Sequence, residues 1–206
     1  MTRVQFDREQ VIQEATRLFW QQGFSGASIQ MVVKTTGLKP GSLYLAFGSK
    51  EGLYLAALEH YAHQSQAMLR QRLAEEAFFG EGICRQLLRM IEESAGTDYC
   101  SCFLIKSQLE LAAAGGELQL RVSTYLGDIE RLYADYLGRV YSPEQARQYA
   151  ASLMLHIFGI RVYGYLGHDR KTTIAAVKAG LPWLPWDTLD NGAQAGNGVK
   201  APLASG

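Results

Sequence analysis

Between Asp7 and Ser49 the chain carries helix start and stop signals so closely spaced that only short helices fit between them. Asp7, followed three residues later by Gln10, reads as a capping box in which each side chain satisfies the other's free backbone amide. Val11, Ile12, Ala15, Leu18 and Phe19 then recur at helical spacing, and this first helix is expected to end near Gly23. After the link Phe24–Ala27, Ser28 reads as the N-cap of a second helix whose apolar face is Ile29, Val32 and Val33. Gly37 stops that helix, because glycine tolerates the left-handed conformation of a tight turn. Leu38 follows as a buried plug. A third helix opens near Pro40, where proline is tolerated, and runs to Phe47. Ser49 caps a fourth, with Glu51 at its positive end. Leu53, Leu55, Ala56, Leu58 and Tyr61 give that helix its apolar positions, and it is expected to run to about Ala77.

The rest of the chain also reads as helices, over 82–95, 102–114, 117–140, 143–167 and 171–181. Pro143 after Ser142 is a start signal, with Glu144 in the first turn, and no stretch alternates as a strand would. The fold class is therefore all-α: an N-terminal three-helix helix-turn-helix domain over 1–48 and a larger C-terminal helical domain over 49–186. Residues 187–206 read as a disordered Gly-, Ala- and Asn-rich tail. Hydrophobic residues make up 48% of the chain, enough for a substantial core. The formal net charge is zero, yet residues 1–50 carry six basic and three acidic residues, a net of +3. A basic head on an acidic body suits a nucleic-acid-binding end. The three cysteines, Cys84, Cys100 and Cys102, show no secretory framework, and the start of the chain is no signal peptide. No apolar run reaches the roughly 18 residues of a membrane span. A cytoplasmic protein with no membrane contact is the expectation.

Two short helices around a glycine turn, braced by a longer one, describe a helix-turn-helix unit. Its second helix must present small residues if its backbone is to enter the major groove, and Gly41 and Ser42 meet that need. Leu43 and Phe47, four apart, share the inward face. Lys50 stands where an ammonium and free helix amides together could hold a phosphate. At these residues, residues 7–58 resemble the DNA-binding domain of the TetR/AcrR family of bacterial transcription regulators. The stretch ATRLFWQQGFSGASIQMVVKTTGLKPGSLYLAFGSKEGL carries the family pattern on Gly41, Leu43, Tyr44, Phe47, Lys50, Glu51 and Leu53, with Ser28 and Gly37 at the helix opening and the turn.

The resemblance implies roles residue by residue. Ser28 opens the second helix, and Gln30, Lys39, Pro40, Gly41 and Ser42 approach base edges. Tyr44 and Lys50 hold phosphates. Ala46 stands where the family often has His or Tyr, and Thr35 and Thr36 replace small apolar residues. The partners implied are a double-stranded DNA operator, a second copy of the chain as a homodimer, and a small-molecule inducer of unknown identity. The C-terminal domain would then bind ligand and dimerise, with the helices near 143–167 and 171–181 paired across the two-fold axis. The segment CFLIKSQLELA resembles a subset of these repressors in which the matching cysteine, here Cys102, senses electrophiles; Ser101 replaces the usual glycine. Buried packing is the alternative for that thiol.

Tyr125, His156 and Tyr163, within the aromatic-rich C-terminal half, are candidates for the ligand pocket alongside Cys102, with core and dimer packing as the competing role. His60 and His63 lie three apart but lack further ligands, so neither a metal nor a cofactor is expected. No phosphate-binding loop or catalytic grouping points to an enzyme. The functional expectation is a ligand- or electrophile-responsive regulator, more often a repressor, on a pseudo-palindromic operator. A DNA-anchored interaction module of the same fold is the alternative.

Overall fold

The computed structural model describes residues 6–75, 78–96 and 99–189. Helix α1, Arg8–Gly26, opens on Asp7, whose Oδ1 accepts from the Glu9 and Gln10 amides at 2.9 and 3.2 Å. Only half of the expected capping box forms. The Gln10 side chain turns forward and donates to Glu14 Oε1 at 3.1 Å, the i,i+4 partner on its own helix face. At Gly23 the backbone leaves the helix, with φ 74° and ψ 175°, before a final turn to Gly26. That conformation is open essentially to glycine alone.

Helix α2, Ile29–Thr36, is capped by Ser28, and Gly37 closes it in the left-handed region at φ 65°. Leu38 is buried as expected. Helix α3, Pro40–Phe47, starts on its proline, and α4, Lys50–Ala74, starts on Ser49, whose hydroxyl accepts from the Gly52 amide at 3.1 Å. Helix α4 stops at Ala74, short of the expected 77. Its buried stripe is Leu53, Tyr54, Ala57, Leu58 and Ala62, while Leu55 and Ala56 are half-exposed. The inward face includes Tyr54 because its hydroxyl meets Ser107 Oγ at 2.6 Å, so the polar tip is satisfied where it is buried.

Helices α5 (Glu81–Ser94), α6 (Phe103–Leu111), α7 (Gly116–Leu137), α8 (Pro143–Tyr163) and α9 (Arg170–Gly180) follow, with a tight turn over Gly164–Leu166 between the last two. The architecture is all-α, with no strand among the described residues. Helices α7 and α8 pack along each other, and α4 lies against α1, α5, α6 and α7. Beyond α9 the chain stays packed. Trp183 stacks on Tyr149 with ring centroids 4.2 Å apart, and Trp186 is buried, its Nε1 donating to Leu181 O at 2.8 Å. A disordered tail was expected from 187, but Asp187–Leu189 continue a helical turn from Trp186. The remainder of that tail, 190–206, lies outside the described residues.

The core passes without interruption from the N-terminal helices into the body. Phe19 and Phe24 of α1 each meet the Tyr54 ring at 4.9 Å, edge to face, and Tyr54 meets Phe103 of α6 at 5.6 Å. Such edge contacts place a positive ring rim on a negative face. The helix-turn-helix unit is therefore seated on α4 and α6 by aromatic packing rather than tethered by a linker.

Candidate nucleic-acid interface and cavity

The α2–α3 unit and the start of α4 leave most of the expected contact residues open to solvent. Ser28, Gln30, Lys39, Pro40, Gly41 and Tyr44 are exposed, and Ser42 and Lys50 are half-exposed. Leu43, the α3 residue that is fully buried, fixes which face turns outward. Phe47 packs beside it with the Arg8 guanidinium over its ring at 5.0 Å, so α3 is held against α1. A Cβ built on Gly41 would meet nothing within 4 Å, so its bareness serves no packing need within the chain. The Ser28 hydroxyl is already engaged as the α2 cap, accepting from the Met31 amide at 3.2 Å. The Lys50 ammonium lies 4.4 Å from the centroid of the Phe24 ring in this conformation. Sequence reasoning passed over Leu45, which is 86% exposed one turn after Gly41. The signal was present: it falls off the inward Leu43–Phe47 face although it is apolar.

Behind the unit lies a cavity of about 960 Å³. Its walls come from α1, α4, α5, α6, α7 and α8, with Gly96, Tyr99, Cys100 and Cys102 between α5 and α6. Of the four candidates proposed for it, Cys102 lines it and Tyr125, His156 and Tyr163 do not. The reason is helical register. Leu126, Ile129 and Tyr133 on α7, and Met154, Ile157 and Arg161 on α8, each form an i, i+3, i+7 stripe facing the cavity. Tyr125 lies off the first stripe, beside Glu59; burial and then that carboxylate raise its hydroxyl's pKa. His156 lies off the second, its Nδ1 2.8 Å from Ser152 O and its ring against Gly180 of α9. Tyr163, half-exposed, stacks on His168 at 4.0 Å. Sequence reasoning missed Trp20, Arg72 and Arg161 as wall residues, because a cavity-facing stripe and a core-facing stripe have the same period.

Cys102 stands at the N-cap of α6 beside the Tyr61 hydroxyl. Burial, and then this thiol, push the Tyr61 pKa well above its ordinary value. Cys100 has a cation beside it: Lys106 Nζ lies 3.4 Å from its sulfur and also donates to Trp20 O at 2.6 Å. Trp20 Nε1 in turn donates to Ser101 O at 2.5 Å. Farther along α6, Glu110 accepts from the Phe24 and Ser25 amides at 2.9 and 2.8 Å. Desolvation raises the Glu110 pKa, but these amides outweigh it and hold the carboxyl below its ordinary value. Thus α6 and the link before it grip both sides of the Gly23 break in α1. Among the described residues no group of three or more His, Cys, Asp or Glu could hold a metal ion.

A short two-helix unit, seated on a helical body whose cavity reaches α1, defines a helix-turn-helix protein with a larger helical domain behind the unit. Residues 11–57 match the sequence model of bacterial regulatory proteins of the tetR family. The HTH-type transcriptional repressor ComR of Escherichia coli (strain K12) is 36% identical over 78 residues, covering 35% of this chain and 37% of ComR. BdcR, an HTH-type transcriptional repressor of the same strain, is 34% identical over 98 residues, 46% of this chain and 50% of BdcR. The match thus spans half or less of the length of these two curated relatives. Among solved structures, a cysteine mutant of the TetR-family regulator CifR, complexed with 26-base-pair operator DNA, superposes with a TM-score of 0.73 at 26% identity. That match covers 90% of this chain and 100% of the CifR chain. The reduced form of Escherichia coli NemR shares the fold, with a TM-score of 0.69 at 19% identity over 84% of this chain and 95% of NemR. The relatives are regulators rather than enzymes, and among the described residues no helix is long and apolar enough to cross a membrane.

Proposed function

We propose that this chain is a cytoplasmic transcriptional repressor that binds a pseudo-palindromic operator as a homodimer and releases it in response to a ligand in the cavity. The observation that carries this reading is the outward edge of α3, where Gly41 is bare without any packing reason and stands beside Lys39, Ser42 and Tyr44. Such an edge lets a helix backbone approach base edges, while Tyr44 and Lys50 at its far end serve phosphates. Leu45 adds an apolar contact suited to a thymine methyl. The operator-bound CifR supports the DNA arm, and the repressors ComR and BdcR support the direction of regulation.

A second copy would pack on the exposed apolar side chains Leu155, Val162 and Tyr163 of α8 and Leu166 of the turn after it. Two recognition helices would then enter successive major grooves about one helical turn apart. The cavity would report to the DNA through α6, whose Glu110 holds the broken end of α1. Modification of Cys102, which lines the same cavity, is a second way to trigger release. The test is selection of bound sequences from a random duplex library at near-physiological salt, since low salt reports mainly phosphate contacts. A recovered palindrome supports the reading. A folded dimer that enriches no sequence overturns it and favours the interaction-module alternative.

A further inference from the structure

The cavity walls carry four arginines, Arg17, Arg72, Arg89 and Arg161, against a single carboxylate, Glu93. That carboxylate is shared: Arg161 donates to it at 2.9 Å and Arg89 at 3.3 Å. Positive charge therefore exceeds negative charge on this wall. The excess is graded with depth, because Arg17 and Arg89 are exposed while the Arg161 side chain is only 13% exposed. Burial works against charging Arg161, but hydrogen bonding and attraction to Glu93 more than offset this and hold the guanidinium firmly protonated. Its Nε is buried without a hydrogen-bond partner. A buried donor on a charged group left unpaired costs free energy that a ligand oxygen would recover.

A second guanidinium, that of Arg72, lines the same cavity. The fully buried Tyr133 hydroxyl feels both Arg72 and Arg161. Arg72 bonds the Gln86 side-chain amide rather than a carboxylate. The lining also includes buried apolar side chains, Leu126 of α7 and Met154 and Ile157 of α8. We propose that the cavity takes an amphipathic organic anion, its carboxylate on Arg161 and Arg72 and its apolar body along α7 and α8. This rests on the reading of the cavity as the effector site and names the class of effector. Planar guanidinium forks suit a carboxylate in two-point contact, and a low-dielectric wall strengthens that pairing. A cationic ligand would meet the same arginines as repulsion.

The test uses the full chain and three probes of one chain length: decanoate, decan-1-ol and decylammonium, titrated by calorimetry below their aggregation range. Decanoate is expected to bind about tenfold or more tightly than the alcohol, and the ammonium not at all. Arg161→Gln is expected to erase the advantage of decanoate over the alcohol, bringing the two affinities together. Because Arg161 also anchors Glu93, Arg72→Gln provides the second variant, with the same sign and a smaller loss. Equal or tighter binding of the alcohol or the ammonium overturns the anion assignment and leaves the cavity a ligand site. Binding of none of the three overturns the ligand reading itself.

Discussion

Two glycines in the reading head perform opposite tasks, and substitution separates them. Gly41 sits in ordinary helix with open space where a side chain would go. Gly41→Val is therefore expected to leave the melting temperature within a few degrees of the parent, since the helix-propensity change is a few tenths of a kcal/mol. Operator affinity is expected to fall about tenfold or more, because the branched side chain holds the backbone off the groove. Fluorescence anisotropy on a selected operator checks this, and unchanged affinity would show that α3 does not read through this edge. Gly23 is the reverse case. Its φ of 74° is forbidden to most residues, and a Cβ there would lie 2.7 Å from Glu110 Oε2. Gly23→Ala is expected to cost about 1–3 kcal/mol in a urea melt. A loss under about 0.5 kcal/mol would show that the break in α1 is soft.

The contact between α6 and α1 is the element through which the proposed signal would pass, and its chemistry makes it pH-sensitive. Glu110 is a carboxylate whose folded pKa lies below the unfolded value of about 4.3. Its contribution is thus fully present above that unfolded value and is lost as pH falls through the depressed folded value. Glu110 is exposed, so the contribution is modest, about 1 kcal/mol for its two amide bonds after solvent screening. Glu110→Gln is expected to cost less than Glu110→Ala at pH 7, because the amide oxygen keeps one acceptor. The difference in stability between parent and Glu110→Ala should shrink as pH is lowered past 4, measured by denaturant melts at each pH. A difference independent of pH would place the role of Glu110 outside its charge.

At the scale of the whole molecule, α8 has two faces with different duties. One lines the cavity through Met154, Ile157 and Arg161, and the other exposes Leu155 (74%) and Val162 (44%). An effector that moves α8 would therefore act on the cavity and on the proposed dimer seam together. The double variant L155E/V162E is expected to sediment as a monomer at micromolar concentration with helical content intact. It should lose most operator affinity, because each half-site then binds alone. A variant that remains dimeric would move the seam elsewhere on the molecule.

Much of this protein was legible in the chain itself, for local reasons. Caps and breakers act within a turn or two, so Ser28, Gly37, Pro40 and Ser49 mark α2, α3 and the start of α4 wherever the rest of the chain lies. The outward edge of α3 is legible on the same ground, because it belongs to one short unit whose inward face Leu43 announces. Only the tertiary structure decided what the long helices face. Periodicity finds a stripe but not its partner, so Tyr125 and His156 were as plausible for the cavity as Leu126 and Ile157 until α7 and α8 were packed. The Glu110 grip on Phe24 and the Lys106 contact with Trp20 join residues more than eighty positions apart, a closeness that no local pattern encodes. The arginine wall is of the same kind: its members are scattered over four helices, and charge that is unremarkable along the chain becomes a site only when folding brings it to one surface.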